Sequence, residues 1–334
     1  MSESTRHSGA VVLPAPQPTR IGTAPALAIT ALMGALAAIQ ARINGQLGVR
    51  LDDGLTAATI SFGSGLVILI CLAAGLPGGR RGVRTLVNGV RDGRIPWWML
   101  MPGVAGALTV ATQGLAVGII GVGLFTVGFV AGQVVFGLVL DRIGFGPGGA
   151  VAVTLPRLIG GALALVAVGI SLAAGGSGAV LWWLLILPFL SGLAVAWQQA
   201  ANGRLRARVG SALTTTLMNF VSGTVVLLIA AAVHALVAHP PAAPPGEWWL
   251  YIGGSLGVIY IFVSANLVQH TGVLLLALGS VAGQLAMSVV LDVAWPTPAS
   301  PDLPHELAMV VVALLSVVVA SVPWGRRRAT LADR

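Results

Sequence analysis

Amide side chains are the residues of this sequence best suited to bind another molecule, because each both donates and accepts hydrogen bonds. Gln40 and Asn44 lie four residues apart, and therefore on one face of a helix. The same spacing recurs at Gln198 and Asn202. An amide buried in an apolar segment costs free energy unless it faces protein, water or a solute. Further candidate amides in such segments are Gln133, Gln284, Gln113, Asn219 and Asn266.

Most of these amides belong to two stretches that the chain repeats. Residues 40–65 match residues 198–223 at ten of 26 positions, with a constant offset of 158 residues. Residues 128–141 match residues 279–292 at eight of 14 positions, with an offset of 151. Polar residues match as well as apolar ones. The chain is therefore an internal duplication, and its function is expected where the two halves meet.

The composition predicts an integral membrane protein. Charged residues make up 8% of the chain and hydrophobic residues 56%, with a mean hydropathy of +0.93, whereas soluble proteins average about 25% charged residues. One helical crossing of the bilayer needs about twenty apolar residues. Ten segments meet this requirement: 23–41, 55–76, 97–118, 121–140, 151–174, 180–201, 212–237, 248–268, 272–291 and 307–324. The predicted fold is all-α, with ten transmembrane helices. The third and fourth spans are separated only by residues 118–123, whose counterpart is a polar break at 269–272.

Five spans in each half is an odd number, so the second half must enter the membrane from the opposite side. We therefore predict two inverted five-helix repeats, residues 23–175 and 176–324. A disordered cytoplasmic tail (1–22) and a basic cytoplasmic tail (325–334) flank them. Arginines indicate the orientation, because cytoplasmic loops are enriched in basic residues. Cytoplasmic termini put 16 of the 18 arginines inside and leave Arg42 and Arg50 outside.

The residue pattern argues against an enzyme. The chain has no HExxH motif, no serine-protease arrangement and no pair of Asp-rich loops, and its histidines are scattered. We expect no metal and no cofactor. The arginine clusters are not interleaved with aromatic residues, so we expect no nucleic-acid partner. The predicted partners are the lipid bilayer and a small-molecule substrate. One chain supplies both repeats, so a monomer suffices, and a homodimer is also compatible.

Each candidate residue has a purely structural interpretation beside the functional one. Gln133 and Gln284 either line a cavity near the membrane midplane or hydrogen-bond a neighbouring helix, for which the Ala-Gly preceding each leaves room. Trp197 either packs or stacks on a solute. The Asn-Gly pairs at 44–45 and 202–203 are more typical of a helix stop than of a ligand site.

Two acidic residues end predicted spans. Asp141 and Asp292 occupy equivalent positions in the second repeated stretch. At the end of a span a carboxylate reaches water at little cost, so anchoring at the interface is one interpretation. Proton or ion coupling is the other.

The pattern Q…NG.L…L…F.SG, followed by AGQ and LD, resembles the YdcZ-type inner-membrane exporters of the drug/metabolite transporter superfamily, here as two fused five-span units. The likeness covers most of residues 23–324. It implies an inverted-repeat carrier of the bacterial inner membrane with cytoplasmic termini and a substrate path between the halves. The matching residues are Gln40, Asn44, Gly45, Phe62, Gly65, Gln133 and Asp141, and Gln198, Asn202, Gly203, Phe220, Gly223, Gln284 and Asp292 in the second unit.

We therefore expect a secondary transporter that exports a small, weakly polar or amphipathic metabolite or drug by alternating access. Its site is predicted near Gln133 and Gln284, with the other amides along the path. The small multidrug exporters related to this superfamily use a glutamate in their first helix. Residues 23–41 and 180–201 contain no carboxylate, which argues against proton exchange there. Two alternatives stay open: a flippase for a lipid or lipid-linked sugar, and a non-transporting membrane scaffold or accessory subunit.

Overall fold

The computed structural model describes residues 23–145, 154–174, 183–296 and 302–321. Every regular element in these ranges is a helix, which confirms the predicted all-α class. The α-helices are α1 (Thr23–Leu51), α2 (Gly54–Gly75), α3 (Pro77–Arg91), α4 (Pro102–Thr112), α5 (Gly118–Arg142), α6 (Leu155–Ala174), α7 (Trp183–Val209), α8 (Ala212–Val237), α9 (Gly253–Ala294) and α10 (Leu303–Ser321). Short 3-10 helices, Trp97–Leu100 and Trp248–Tyr251, precede α4 and α9, and a π-helical turn, Gln113–Val117, joins α4 to α5. The tails predicted at 1–22 and 325–334 lie outside the described residues.

Several helices are suited to a membrane. Within the described ranges, three segments are long and apolar enough to cross it: Gly54–Gly75, Trp97–Leu140 and Ala212–Val237. Shorter apolar helices are Trp248–Ser264, Ser280–Ala294 and Leu303–Ser316. The outward faces of α2 and α8 expose aliphatic side chains, among them Val67, Ile70, Leu228 and Ile229. Contiguous exposed apolar faces of this kind are typical of contact with lipid.

The break predicted within residues 118–123 is present in the backbone. Gly121 has φ 80° and ψ 170°, a conformation that is essentially restricted to glycine. The break predicted at residues 269–272 does not interrupt the helical structure, since α9 is one helix of 42 residues.

Contacts with α1 nevertheless require α9 to bend sharply. Gly34 of α1 lies against Ser280, and Gln40 lies against Gly257. The two α1 residues are only about 9 Å apart along their helix, whereas Gly257 and Ser280 would be about 34 Å apart on a straight one. Both ends of α9 therefore lie along α1.

The Asn-Gly pairs at 44–45 and 202–203 do not end helices, so that prediction is wrong. α1 continues to Leu51 and α7 to Val209. The amides of Asn44 and Asn202 hydrogen-bond side chains of other helical segments. They therefore do not compete for their own backbone, which is how asparagine ordinarily interrupts a helix.

The true stops of α1 and α7 lie at equivalent positions of the two repeats. Asp52 has φ 50° and Gly210 has φ 72°, and these residues are separated by the repeat offset of 158. The next residues, Asp53 and Ser211, cap α2 and α8 by accepting hydrogen bonds from backbone N–H groups. The two copies thus use the same local geometry with different residue types.

Helices of the two halves pack against each other. α1 packs along α9, and α7 packs along α4 and α5, while α2 contacts α8 and α6 contacts α10. The main apolar core also mixes the halves, since Ala38 and Phe125 share it with Leu285 and Met309. The core therefore belongs to the interface between the repeats.

Glycines permit the closest approach of α1 to α9. A Cβ atom on Gly34 would lie 1.8 Å from the carbonyl oxygen of Ser280, and one on Gly283 would lie 1.8 Å from that of Ala31. Carbon atoms need about 3.5 Å to their non-bonded neighbours. No side chain larger than hydrogen fits at either position.

The approach of α5 to α7 repeats this arrangement. A Cβ atom on Gly132 would lie 2.0 Å from the carbonyl oxygen of Phe189, and one on Gly192 would lie 2.0 Å from that of Phe129. Gly132 and Gly192 are the repeat counterparts of Gly283 and Gly34. The two crossings are therefore equivalent, and each pairs one helix from each half.

Helix α3 lies outside the ten predicted spans. Its Arg80, Arg81, Arg84 and Arg91 are exposed, whereas Gly79, Gly82 and Gly89 are buried. A helix with a basic polar face and a narrow buried face suits the membrane surface rather than its interior. The sequence gives little sign of it, because glycine and proline are poor helix formers.

Substitution of Gly34 by Ala tests the α1–α9 crossing. The added methyl group meets a backbone oxygen and forces the helices apart, so we expect a loss of about 1–3 kcal/mol. Thermal unfolding of the purified protein in detergent measures this loss. Gly63→Ala is the matched control, because a Cβ there meets nothing within 4 Å. Equal unfolding temperatures for the two variants would contradict the described crossing.

Candidate functional site

Three amides of the second half form a buried hydrogen-bonded cluster between α7 and α8. Gln198 donates through Nε2 to Oδ1 of Asn219 at 2.8 Å. Asn202 donates to the same oxygen at 3.3 Å, and Asn219 donates through Nδ2 to Oδ1 of Asn202 at 2.7 Å. Gln198 and Asn219 are 6% and 1% exposed. Asn219, which has no amide counterpart in the first half, is the centre of this cluster.

The first half holds a related cluster. Asn44 of α1 donates through Nδ2 to Oε1 of Gln113, which begins the π-helical turn, at 2.7 Å. Both side chains are buried. Oδ1 of Asn44 and Oγ of Ser61 are buried without a hydrogen-bond partner, and both lie close to Gly253. Ser61 is the repeat counterpart of Asn219, so equivalent positions of α2 and α8 supply polar groups to both clusters.

Two phenylalanines lie between these clusters. The rings of Phe62 and Phe220, which are repeat counterparts, are 4.9 Å apart between centroids and tilted by 31°. Such an offset pair is a favourable aromatic geometry. Gly65 and Gly223 provide the space for the rings, since a Cβ on either would lie within 2.3 Å of the opposing ring.

Two equivalent glycines bring the phenylalanine pair close to Gln198 and Gln40. A Cβ on Gly106 would lie 2.7 Å from Nε2 of Gln198 and 3.2 Å from Cζ of Phe62. A Cβ on Gly257 would lie 2.7 Å from Nε2 of Gln40 and 3.4 Å from Cζ of Phe220. Amide and ring therefore approach each other at both places. We name the whole arrangement the amide site; its members are Gln40, Asn44, Ser61, Phe62, Gln113, Gln198, Asn202, Asn219 and Phe220.

The amides predicted to form the centre of the path lie elsewhere. The backbone nitrogen of Gln133 is 2.8 Å from the Cβ position of Gly192, and that of Gln284 is 2.8 Å from the Cβ position of Gly34. Gln133 and Gln284 thus occupy the two glycine crossings, α5 with α7 and α1 with α9. This placement favours their interpretation as residues of the helix contacts.

The remaining candidates are placed as follows. Trp197 is half-buried on α7 and precedes Gln198 in the sequence. The side chains of Asn266 and Asp141 lie outside the described residues, although both residues are helical. Among the residues that the structure describes, no group of three His, Cys, Asp or Glu side chains is placed to hold a metal ion.

Of the two interpretations of Asp292, anchoring in water does not fit its position in the structure. Its side chain is 3% exposed. It accepts hydrogen bonds from the backbone N–H groups of Val122 at 2.9 Å and Gly123 at 2.5 Å. The kink at Gly121 exposes these N–H groups, because it interrupts the helical hydrogen bonding at that point. Position along the sequence could not reveal a partner 170 residues away.

Sequence reasoning missed several residues of the site. Ser61 carries no signal beyond its position in the repeat, and Gly106 and Gly257 are two of 45 glycines in the chain. Gly106 and Gly257 are separated by 151 residues, the offset of the second repeated stretch. This spacing was the only feature of the sequence that could have identified them as equivalent. A cavity of about 300 Å³ elsewhere, lined by Thr85, Gly89, Arg94, Ile95 and Arg208, contains no member of the amide site.

Replacing Asn219 by Leu tests the cluster. The change leaves the donors of Gln198 and Asn202 without their acceptor in a buried place, so we expect a loss of about 1–3 kcal/mol. Thermal unfolding in detergent reports it. Met218→Leu is the control, because it changes an adjacent apolar residue without touching the amides. A variant as stable as the wild type would show that the hydrogen bonds do not form.

Buried amides at the junction of two related helical units define a duplicated membrane protein with a polar site between its halves. The chain belongs to the family described as "Putative inner membrane exporter, YdcZ", whose model matches residues 25–171 and again residues 183–319. The resemblance stated from the repeated motifs is thereby confirmed, as is the presence of two family units in one chain. The family and the apolar helices place the protein in a membrane.

A solved structure shares the fold. It is described only as "Crystal structure of protein" and is 21% identical to this chain, with a TM-score of 0.50 over 90% of this chain and 99% of that chain. At this identity the likeness concerns the fold alone. No curated protein matches the chain.

Proposed function

We propose that this protein is a secondary transporter that exports a small, weakly polar or amphipathic solute by alternating access, with the amide site as its solute-binding site. The observation that carries the proposal is the placement of equivalent amides from both repeats on either side of the Phe62–Phe220 pair. A site between two repeats is where rocking of one repeat against the other changes access.

The chemistry of the site selects the class of solute. Its polar side chains are neutral amides and a hydroxyl, which hydrogen-bond a solute without balancing a charge. The two rings offer an apolar surface beside them. Asn44 Oδ1 and Ser61 Oγ have unused hydrogen-bonding capacity. A solute with a few hydroxyl or amide groups and an apolar part would satisfy both kinds of surface.

The closed packing of the site fits one state of such a cycle. Gln198, Asn219, Asn44 and Gln113 are all buried, so a solute reaches them only after helices separate. The glycine crossings provide smooth contacts along which helices can slide, since no side chain interlocks there. Exchange of amide–amide hydrogen bonds for amide–solute bonds changes the free energy little, which permits both binding and release.

Ten spans in two inverted five-helix repeats are the arrangement we propose for this cycle. The kink at Gly121 and the bend of α9 both support it, because each lets one long apolar segment supply two crossings. In addition, α1 packs against α9, and its repeat counterpart α7 packs against α4 and α5, which correspond to α9. The two pairings are therefore equivalent. The arginine distribution supports an orientation with both termini in the cytoplasm.

Transport can be tested with proteoliposomes loaded with a defined library of neutral and amphipathic metabolites, with solute loss measured by mass spectrometry. We expect wild-type protein to release at least one solute faster than protein-free liposomes do. The double variant Gln40→Ala, Gln198→Ala should release it more slowly. Each lost hydrogen bond contributes about 1 kcal/mol, or about fivefold in affinity.

The matched control is the double variant Gln133→Ala, Gln284→Ala, which removes two amides outside the amide site. It should retain solute release if it folds, as judged by its unfolding temperature. If only this control variant loses solute release, the solute-binding site lies at Gln133 and Gln284, as predicted from the sequence, and not at the amide site. Absence of release by wild-type protein for every solute would contradict the transporter. Release confined to lipids would support the flippase instead.

The orientation has a separate test. A reporter that is active only in the cytoplasm, fused after Arg334, should be active, because the proposed span count returns the chain to its starting side. The same reporter inserted between Ala243 and Pro244 should be inactive, since this loop precedes α9 on the outer side. Activity at the loop together with inactivity at the end would reverse the proposed topology.

A further inference from the structure

Three charged residues are buried together away from the amide site. Arg42 of α1, Asp292 of α9 and Glu306 of α10 are 4%, 3% and 2% exposed. The backbone N–H groups at the kink of α5 complete this cluster by donating to Asp292. Buried charges are costly and rare in membrane proteins, and those that persist are typical of functional sites.

The two acidic groups are in direct contact. The carboxyl groups of Asp292 and Glu306 lie close enough to interact directly. A Cβ on Gly123 would lie 3.0 Å from Oδ2 of Asp292 and 2.7 Å from Oε1 of Glu306, so both groups crowd the same point of the backbone. Ionised carboxylates only accept hydrogen bonds. Two ionised carboxylates crowded at one buried point would also repel each other, so one proton held by the pair is the favoured state.

The surroundings indicate which of the two is the anion. Asp292 accepts two backbone N–H bonds and interacts with the positive charge of Arg42. Glu306 has no comparable donors, and its Oε1 is buried without a partner. Glu306 is therefore the residue that carries the proton, while Arg42 and Asp292 balance each other.

Arg42 has capacity for a second anion. Its Nη2 donates to the carbonyl oxygen of Trp295, whereas Nε and Nη1 are buried without a partner. These unused donors leave Arg42, which interacts with Asp292, able to compensate negative charge that the cluster gains when Glu306 loses its proton. The cluster is thus suited to two states that differ by one proton.

No other described ionisable group competes at this place. His305 and Asp302, next to Glu306 in the chain, are exposed and pair with each other. Asp141 and Arg142, on the same helix as Gly123, lie about 27 Å farther along it. The side chain of Arg157, on the helix that packs against α10, lies outside the described residues.

The cluster draws residues from both halves, but the symmetry-related set of positions does not repeat it. The repeat counterpart of Arg42 is Ala200, and that of Asp292 is Asp141. When the Leu-Pro pairs that begin α6 and α10 are aligned, the counterpart of Glu306 is Leu158. The symmetry-related positions therefore keep one acid but have neither the second acid nor an arginine equivalent to Arg42.

We propose that Asp292 and Glu306, with Arg42, form the proton-coupling site of the transporter. In the proposed orientation this end faces the periplasm. A proton from periplasmic water binds the Glu306 carboxylate, restores the hydrogen bond to Asp292 and closes α10 onto α9 and the α5 kink. Release of that proton to cytoplasmic water in the alternate state completes an exchange of one proton for one solute.

The site can be tested without knowing the solute. Purified protein in detergent is heated at pH values from about 6 to 9, where an unfolded glutamate is ionised because its ordinary pKa is about 4.3. The folded protein then holds one proton more than the unfolded chain, so its stability falls as pH rises. The folded-to-unfolded ratio should fall by up to about tenfold per pH unit.

Glu306→Gln keeps the hydrogen-bond donor without a titratable proton, so its stability should be less dependent on pH than that of the wild type. Asp92→Asn is the control and should follow the wild type, because Asp92 is exposed and its partner Arg94 keeps its charge over this pH range. Equal pH dependence for wild type and Glu306→Gln would overturn the proposal. Stabilisation by sodium chloride relative to choline chloride, lost in Glu306→Gln, would also overturn it in favour of a metal-cation site.

Coupling itself rests on the proposed transport function and is tested in the library-loaded proteoliposomes. An external pH one unit below the internal pH should sustain up to about a tenfold solute gradient for one-to-one exchange. Glu306→Gln should lose this response but keep solute exchange at equal pH. If the wild-type protein moves solute but does not respond to the pH gradient, proton coupling is contradicted and the transport function is not. A wild type that moves no solute would overturn the transport function, and the unfolding experiment would still decide whether the proton site exists.

Discussion

Direct contact between backbones at two glycine crossings is the constraint on which the rest of this structure depends. Where Gly34 and Gly283 bring α1 onto α9, no side chain separates the helices, and the crossing of α5 with α7 is equivalent. The amides four residues apart on α1 and α7 are thereby carried to the junction with Gly257 and Gly106. Larger residues at the crossings would move both amide clusters at once.

Burial of the amides imposes a second constraint. An amide without partners in an apolar interior is costly, and here pairing is achieved between helices, as with Asn219 and Gln198. The same requirement explains why Asn44 and Asn202 lie inside helices. Each side chain is held by another helical segment, so the tendency of asparagine to end a helix has no effect.

The duplication made most of the fold predictable from sequence, because the offsets of 158 and 151 residues align the helices and identify equivalent polar positions. The amide site was only partly predictable. Gln40 and Gln198 could be recognised from their spacing, but Gln133 and Gln284 gave an equally good signal and lie at helix crossings. The partnership of Asp292 with Glu306 and Arg42 joins three distant segments, and no local pattern encodes such a contact. The length of α1 and α7 was mispredicted because a local turn signal was overridden by tertiary hydrogen bonds.

Fusion of the two units into one chain allows the two membrane faces of the protein to differ. A single unit assembled as an antiparallel pair would carry identical residues at both ends, since one sequence would have to serve both. In the fused chain each copy is free to diverge, and Arg42 with Ala200 shows such divergence at one equivalent position. The two faces of this molecule can therefore respond differently to the same aqueous conditions, a distinction that a symmetric antiparallel homodimer cannot make.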